Sequence, residues 1–241
     1  MVRDKKVTIH AVNTTYFVTG TDTDVGKTVC TRALLQAANQ QNKSTIGYKP
    51  ISAGCEMTDF GLRNEDALIL QKNSSTSLPY EMINPIAFAQ PIAPHIAASE
   101  NGVKIDVKQI EDGLTHLQAM QSDLIFVEGA GGWHLPINGQ QLLSDWVVEK
   151  QFPVILVVGL KLGCLNHALL TAKAIQQSGL TLVGWIANHV QHDLPYAEEN
   201  INSLTALINA PLLGVIPFLD NVDEQDLSNY INIEFNRLLG V

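Results

Sequence analysis

Gly20-Thr21-Asp22-Thr23-Asp24-Val25-Gly26-Lys27-Thr28 follows the short apolar run Tyr16-Phe17-Val18 and opens into a helical pattern beginning near Thr28. A strand that ends in a glycine-bearing loop turns backbone N–H groups inward around an anion, and the next helix aims its N-terminus at the same point. In that context Gly26 allows close backbone approach, Lys27 is a cation for β- and γ-phosphates, and Thr28 brings a hydroxyl for Mg²⁺. The usual pattern has four residues between two glycines. Here Thr21 stands at the first glycine position and Gly20 falls one residue early. A Gly-Lys-Thr tripeptide alone is a weak signal; its placement between strand and helix gives it weight.

Outward from this loop the chain reads as alternating strands and helices. Leu34, Leu35, Ala37 and Ala38 mark a helix to about Gln40, and Thr45 to Lys49 reads as a strand stopped by Pro50. Arg63-Asn64-Glu65-Asp66 leads into a short helix whose acidic start could face a nucleotide. From Asn73 to His95, prolines at 79, 85, 91 and 94 predict a long irregular excursion, and such loops are uncommon without a function. A helix from about Asp106 to Met120 precedes Leu124-Ile125-Phe126-Val127, a strand apolar enough to be buried on both faces, which delivers Glu128 at its carboxyl end. Further strands are predicted over Phe152 to Gly159, Leu180 to Asn188 and Pro211 to Ile216, with helices over Cys164 to Gln177 and Ala197 to Ile208. The pattern predicts an α/β fold with a mostly parallel sheet and helices on both faces, with ligands at the carboxyl ends of the strands.

Composition bounds the rest. A chain of 241 residues, 46% hydrophobic and 16% charged, can bury one large core without disulfide or metal staples. Residues 1–15 read as an N-terminal extension and 16–241 as one domain. The net charge of −9, with no Lys/Arg run, disfavours nucleic-acid binding. Cys30, Cys55 and Cys164 have neither zinc nor redox spacing and fit a reducing compartment. No apolar run reaches the ~18 residues of a membrane span, and no signal-peptide core is present, so a cytoplasmic protein is expected.

Three groups converge on the predicted ligand edge. Thr28, Asp66 and Glu128 form an oxygen set for Mg²⁺, although the strand-terminal acid of nucleoside triphosphatases is more often Asp, and Glu128 could instead cap the following glycine turn. Lys27 and Lys49 place two cations on what read as neighbouring strand ends, one more than nucleotide holding requires. Gly159 to Asn166 passes from strand to helix through glycines, either a plain turn or a helix start able to take a carboxylate.

With GTDTDVGKT, GYKPISAG, RNEDALIL, NPIAFAQPIAPH, LIFVEGAGGW, PVILVVGLKLGCLNHALLT, GWIAN and PLLGVIPFL in this order, the chain resembles the dethiobiotin synthetases from Tyr16 to about Leu219. Each stretch is weak alone and the series is specific. The resemblance implies a P-loop NTPase-like fold and an ATP- and Mg²⁺-dependent ligase of biotin synthesis that carboxylates 7,8-diaminopelargonate with CO₂ and closes the ureido ring. Carried over, Asp24, Val25, Gly26, Lys27, Thr28 and Val29 hold the phosphates, with Gly129, Ala130 and Gly131 beside them. Thr28, Asp66 and Glu128 hold the metal. Lys49 and Lys27 are catalytic, and Thr23, Asp24, Lys49 and Ala53 lie toward the substrate. Asn188, Pro217, Phe218 and Leu219 meet adenine. Gly163, Cys164, Leu165 and Asn166 reach the substrate carboxylate from a partner subunit, which implies a homodimer.

The chain departs from the family pattern at three positions. Ala53 replaces a frequent serine, with Ser52 beside it; Asp24 replaces a frequent glutamate; and Asn200 stands where some members have tyrosine, with Tyr196 nearby. Competing readings are a partition-type ATPase, whose extra loop lysine is Asp22 here, a corrinoid amide-forming relative, which needs a second domain, and a nucleotide-binding regulatory module without chemistry.

Overall fold

The computed structural model describes residues 14–235. β1 (Thr14–Gly20) runs through the loop into α1 (Lys27–Gln40). β2 (Thr45–Tyr48) is followed by β3 (Ile51–Ser52), a hairpin of β4 (Glu56–Thr58) and β5 (Gly61–Arg63), and α2 (Glu65–Asn73). The proline-bearing stretch contains α3 (Tyr80–Ile83), β6 (Ile86–Ala87) and α4 (Pro94–Glu100). Then come α5 (Val107–Gln118), β7 (Leu124–Glu128), α6 (Leu143–Glu149), β8 (Val154–Leu160), α7 (Cys164–Gln177), β9 (Leu182–His189), α8 (Ala197–Leu207) and β10 (Leu212–Ile216). Two short 3-10 turns follow at 222–224 and 228–230.

Six strands form one parallel sheet in the order β10-β9-β8-β1-β7-β2. From β1 the chain steps outward to β2, returns to fill the gap with β7, and crosses to the other side with β8. The direction of winding therefore reverses at β1, and a crevice opens at its carboxyl end, where the phosphate loop begins. Helices cover both faces, as two adjacent residues of β2 demonstrate. A Cβ on Gly47 would lie 2.9 Å from Leu70 of α2, whereas the Tyr48 hydroxyl donates to the Ile110 carbonyl of α5 on the opposite side. An ion pair between Lys150 and Glu111 joins the end of α6 to α5. Burial on both faces is why Leu124 to Val127 and Val154 to Val158 show no polar alternation.

Several expectations need correction. β1 starts at Thr14, which pairs with Leu124 and donates its N–H to Asp123, so the sheet takes in two residues assigned to the extension. Strand pairing is a backbone property, and polar threonines carry it as well as apolar residues do. Residues 1–13 lie outside the described residues. β1 and β2 are not neighbours, because β7 lies between them. The excursion from Asn73 to His95 is also more regular than expected: β6 pairs with β3, and Pro94 occupies the first turn of α4, where its missing N–H costs nothing. Lys49 lies one residue beyond the end of β2.

Candidate active site

The loop after β1 is shaped by two residues in the left-handed region, Asp24 at φ 56° and Gly26 at φ 82°. Gly26 cannot be replaced without disruption, since a Cβ there would lie 2.1 Å from Nδ2 of Asn188. That amide, at the end of β9, donates to the Val25 carbonyl at 3.0 Å and fixes the loop from the side. Gly159 of β8 permits close approach to Val25, and a Cβ on Gly132 would come within 4 Å of the Gly20, Thr21 and Asp22 backbone. α1 begins at Lys27, so its first-turn N–H groups point into the loop. Lys27 Nζ donates to the Asp22 carbonyl at 2.9 Å, and Lys161, just past β8, pairs with Asp22 at 3.1 Å. Burial, aided by the charge of Lys49, lowers the Lys27 pKa below the ordinary lysine value.

On the other side of the loop three chain segments meet at Glu128. This carboxylate is 0% exposed at the end of β7. Its Oε1 accepts from Thr28 Oγ1 at 2.8 Å and from Lys49 Nζ at 2.5 Å, and Lys49 Nζ also donates to Asp66 Oδ2 at 2.8 Å. Burial alone would lower the Lys49 pKa, but Glu128 and Asp66 outweigh it and hold the ammonium above the usual lysine range. Burial tends to raise the Asp66 pKa, but the charge and hydrogen bond of Lys49, with Thr28 and Lys27, together outweigh it and lower it. The second Glu128 oxygen, Oε2, is buried and lacks a hydrogen-bond partner among the described residues. A carboxylate oxygen with unused capacity, beside a threonine hydroxyl and a half-exposed aspartate, fits a hard oxygen-seeking cation such as Mg²⁺. Among the described residues no group of three or more His, Cys, Asp or Glu could hold a metal. The set suits an ion that takes its remaining ligands from phosphate and water.

A cavity of about 850 Å³ opens above this centre. Of the expected residues it is lined by Thr23, Asp24, Gly26, Lys27, Thr28, Val29, Lys49, Ala53, Asp66, Ala130 and Gly131. Glu128 lies beneath, reached through Thr28 and Lys49. Asn188, Pro217, Phe218 and Leu219 do not line it; Asn188 lies at the end of β9, in register with Ile216, and Pro217 to Leu219 follow β10. Gly163, Cys164, Leu165 and Asn166 are also outside it, at the start of α7. Ser52, beside Ala53, also lines the cavity, and its hydroxyl donates to Asn84 Oδ1. Sequence reasoning missed Asn64, Arg32, Val222 and the residues 91–94 wall. Asn64 precedes an acidic first turn and carried a readable N-cap signal. Arg32 donates to the carbonyls of Val222 and Gln225, a contact across 190 positions that no local pattern announces.

A family model described as an AAA domain matches residues 14–226. The chain is 51% identical over 218 residues to the ATP-dependent dethiobiotin synthetase BioD of Aeromonas salmonicida, covering 90% of this chain and 96% of that one. It is 55% identical over 204 residues to BioD 1 of Salmonella typhi, covering 85% and 89%. Among solved structures, the MinC:MinD cell division protein complex of Aquifex aeolicus superposes with a TM-score of 0.55 at 13% identity, covering 93% of this chain and 89% of that chain. Chloroplast FtsY of Physcomitrella patens superposes with a TM-score of 0.52 at 15% identity, covering 95% and 64%. These two establish the fold alone.

Proposed function

The chain belongs to the ATP-dependent dethiobiotin synthetase family, and from that premise we propose that the cavity between the phosphate loop and residues 91–94 is where ATP and the diamine meet. The enzyme is an ATP- and Mg²⁺-dependent cyclo-ligase that converts 7,8-diaminopelargonate and CO₂ to dethiobiotin, releasing ADP and phosphate. One observation carries the site assignment: Lys49 is held between Asp66 and Glu128 while Thr28, at the start of α1, bonds the same Glu128 oxygen.

In this reading one substrate amine captures CO₂ as a carbamate, a carbamate oxygen attacks the γ-phosphate, and the second amine closes the ring as phosphate leaves. The loop N–H groups from Asp24 to Val29 and Lys27 cradle the phosphates, with Gly129, Ala130 and Gly131 beside them. Thr28, Asp66 and Glu128 would hold Mg²⁺, which supplies charge neutralisation of the phosphates when bound. Lys49 stays protonated across neutral pH and places positive charge where the carbamate and the moving phosphoryl group become more negative. Thr23, Asp24 and Ala53 face the diamine. Asn188 uses Nδ2 on the loop, which leaves Oδ1 to accept from the adenine amino group, near Pro217 to Leu219. Ile69, Ile92 and Leu135 give part of the wall an apolar character suited to the alkyl chain and to excluding water.

The same reading makes the enzyme a homodimer. Leu162 is 96% exposed beside Gly163 to Asn166, which lie outside their own cavity and would serve a partner's. Three free buried cysteines support a cytoplasmic location, and among the described residues no helix is long and apolar enough to cross a membrane.

The test is ADP formation with Mg²⁺ and bicarbonate, with and without diaminopelargonate, followed by mass detection of the ring-closed product. ADP and dethiobiotin should appear together and only with the diamine. Nucleotide hydrolysis indifferent to the diamine, with no product, would leave a regulatory module as the better reading.

A further inference from the structure

Lys49 is fixed at its tip by two carboxylates, but four methylenes separate that tip from the backbone, so its placement also depends on what holds the main chain. Residues 83 and 84 do this. The Lys49 N–H donates to the Ile83 carbonyl at 2.9 Å, and Asn84 Nδ2 donates to the Lys49 carbonyl at 2.6 Å and to the Ile86 carbonyl at 3.4 Å. Both carbonyls can only accept, which fixes the orientation of the amide. Its Oδ1 then accepts from Ser52 Oγ at 2.7 Å and from the Tyr80 hydroxyl at 2.9 Å. Asn84 is buried, and all four of its hydrogen-bonding positions are used.

The network continues to the other side of the lysine. The Tyr80 hydroxyl accepts from the Asn64 N–H at 2.7 Å, and Asn64 Oδ1 caps α2 by accepting from the Ala67 N–H at 3.2 Å. Asp66, one residue before Ala67, accepts from Lys49 Nζ. The path closes on itself: Lys49 carbonyl, Asn84, Tyr80, Asn64, the first turn of α2, Asp66 and the Lys49 ammonium. The Arg63 guanidinium sits 4.2 Å from the Tyr80 ring centroid and holds that ring in place.

We propose that Asn84 is a positioning residue for this reaction, setting the Lys49 main chain and the start of α2 in one frame so that the ammonium lies between Asp66 and Glu128. This rests on the reading of Lys49 given above. No other side chain serves the position. Leucine has the volume without the polar groups, aspartate would set an oxygen against two carbonyls, and glutamine is a methylene too long for a closed buried network.

The test is a double-mutant cycle of Asn84→Leu with Lys49→Met, reading kcat, the KM of the diamine and calorimetric ATP affinity. Asn84→Leu should lower kcat by about tenfold to a hundredfold, the scale of an ångström-level misplacement, and leave ATP affinity within about threefold. In the Lys49→Met background it should cost less than about twofold, because nothing remains to be positioned. Equal losses in both backgrounds, or a loss of ATP binding, would overturn the proposal. Should Asn84→Leu fail to fold, Tyr80→Phe in the same cycle keeps the ring and removes only the hydroxyl bridge, with the same non-additive pattern expected and the same additive pattern fatal. Lys49→Met alone reports separately on the parent reading: near-normal turnover there removes both assignments. A large loss there, with additive Asn84→Leu, removes Asn84 only.

Discussion

At the scale of single residues, the two lysines of the site divide by environment. Lys27 is lowered by burial and donates to a backbone carbonyl of its own loop, an acceptor that the proposed reading has it exchange for phosphate oxygens. Lys49 is raised by Glu128 and Asp66 and, in the proposed reading, stays charged while the reacting groups change around it. Lys49→Met should therefore leave ATP affinity nearly unchanged and lower turnover about a hundredfold to a thousandfold, the range for removing a donor aimed at developing charge. It also strands Glu128 as a buried charge, which should cost about 3–5 kcal/mol of stability. Lys27→Met should abolish ATP binding with a smaller effect on melting. Calorimetry, single-turnover rates and thermal denaturation of the two variants check this, and similar ATP losses in both would contradict the division.

At the scale of elements, the amino-terminal ends of β2 and β7 are fastened together by Ser44 and Asp123. Asp123 Oδ2 accepts from the Ser44 N–H at 2.7 Å and its hydroxyl at 2.8 Å, and the Asp123 N–H donates back to Ser44 Oγ at 2.8 Å. Burial alone would raise the Asp123 pKa, but the two Ser44 bonds dominate and lower it. A carboxyl whose folded pKa is depressed contributes stability that is present above its unfolded value of ~3.9 and lost as pH falls through the lower folded value. Asp123→Asn should thus cost roughly 1–2 kcal/mol at pH 7, with the difference from wild type shrinking below about pH 4 in urea melts. A difference independent of pH would place the effect elsewhere. Elements of this size also mark what was legible in the chain. β7, β8, α1 and α7 announce themselves through long apolar or periodic runs, and the loop by its glycine and lysine. β3 to β6 are two or three residues long, too short to carry a period, and α6 has only seven. The proposed donor set Thr28, Asp66 and Glu128 was suggested by residue types at strand and helix ends. That Lys49 sits between two of its members was not, because it depends on β7 lying between β1 and β2.

At the scale of the whole molecule, sheet order places the cavity over β1, β7 and β2, and Asn188 with Pro217 to Leu219 outside its lining at the ends of β9 and β10. A nucleotide lying across the loop would use both halves and still leave Gly163 to Asn166 unused, since the start of α7 lines no part of its own cavity. If those residues serve a second copy, each site combines Lys49 of one subunit with Asn166 of the other. Lys49→Met and Asn166→Ala homodimers would then each have two defective sites. A mixed dimer would gather both defects into one site and leave the other intact. Random reassortment of equal amounts makes about half the dimers mixed, so activity should recover to about one quarter of wild type. If every site were built from one subunit, mixed dimers would contain one Lys49-defective and one Asn166-defective site, and activity would stay at the level of the separate variants. Co-refolding the two variants with different affinity tags, isolating the doubly tagged species and measuring dethiobiotin formation distinguishes the outcomes, because the purified mixed dimer should reach about half the wild-type rate only if the site is shared.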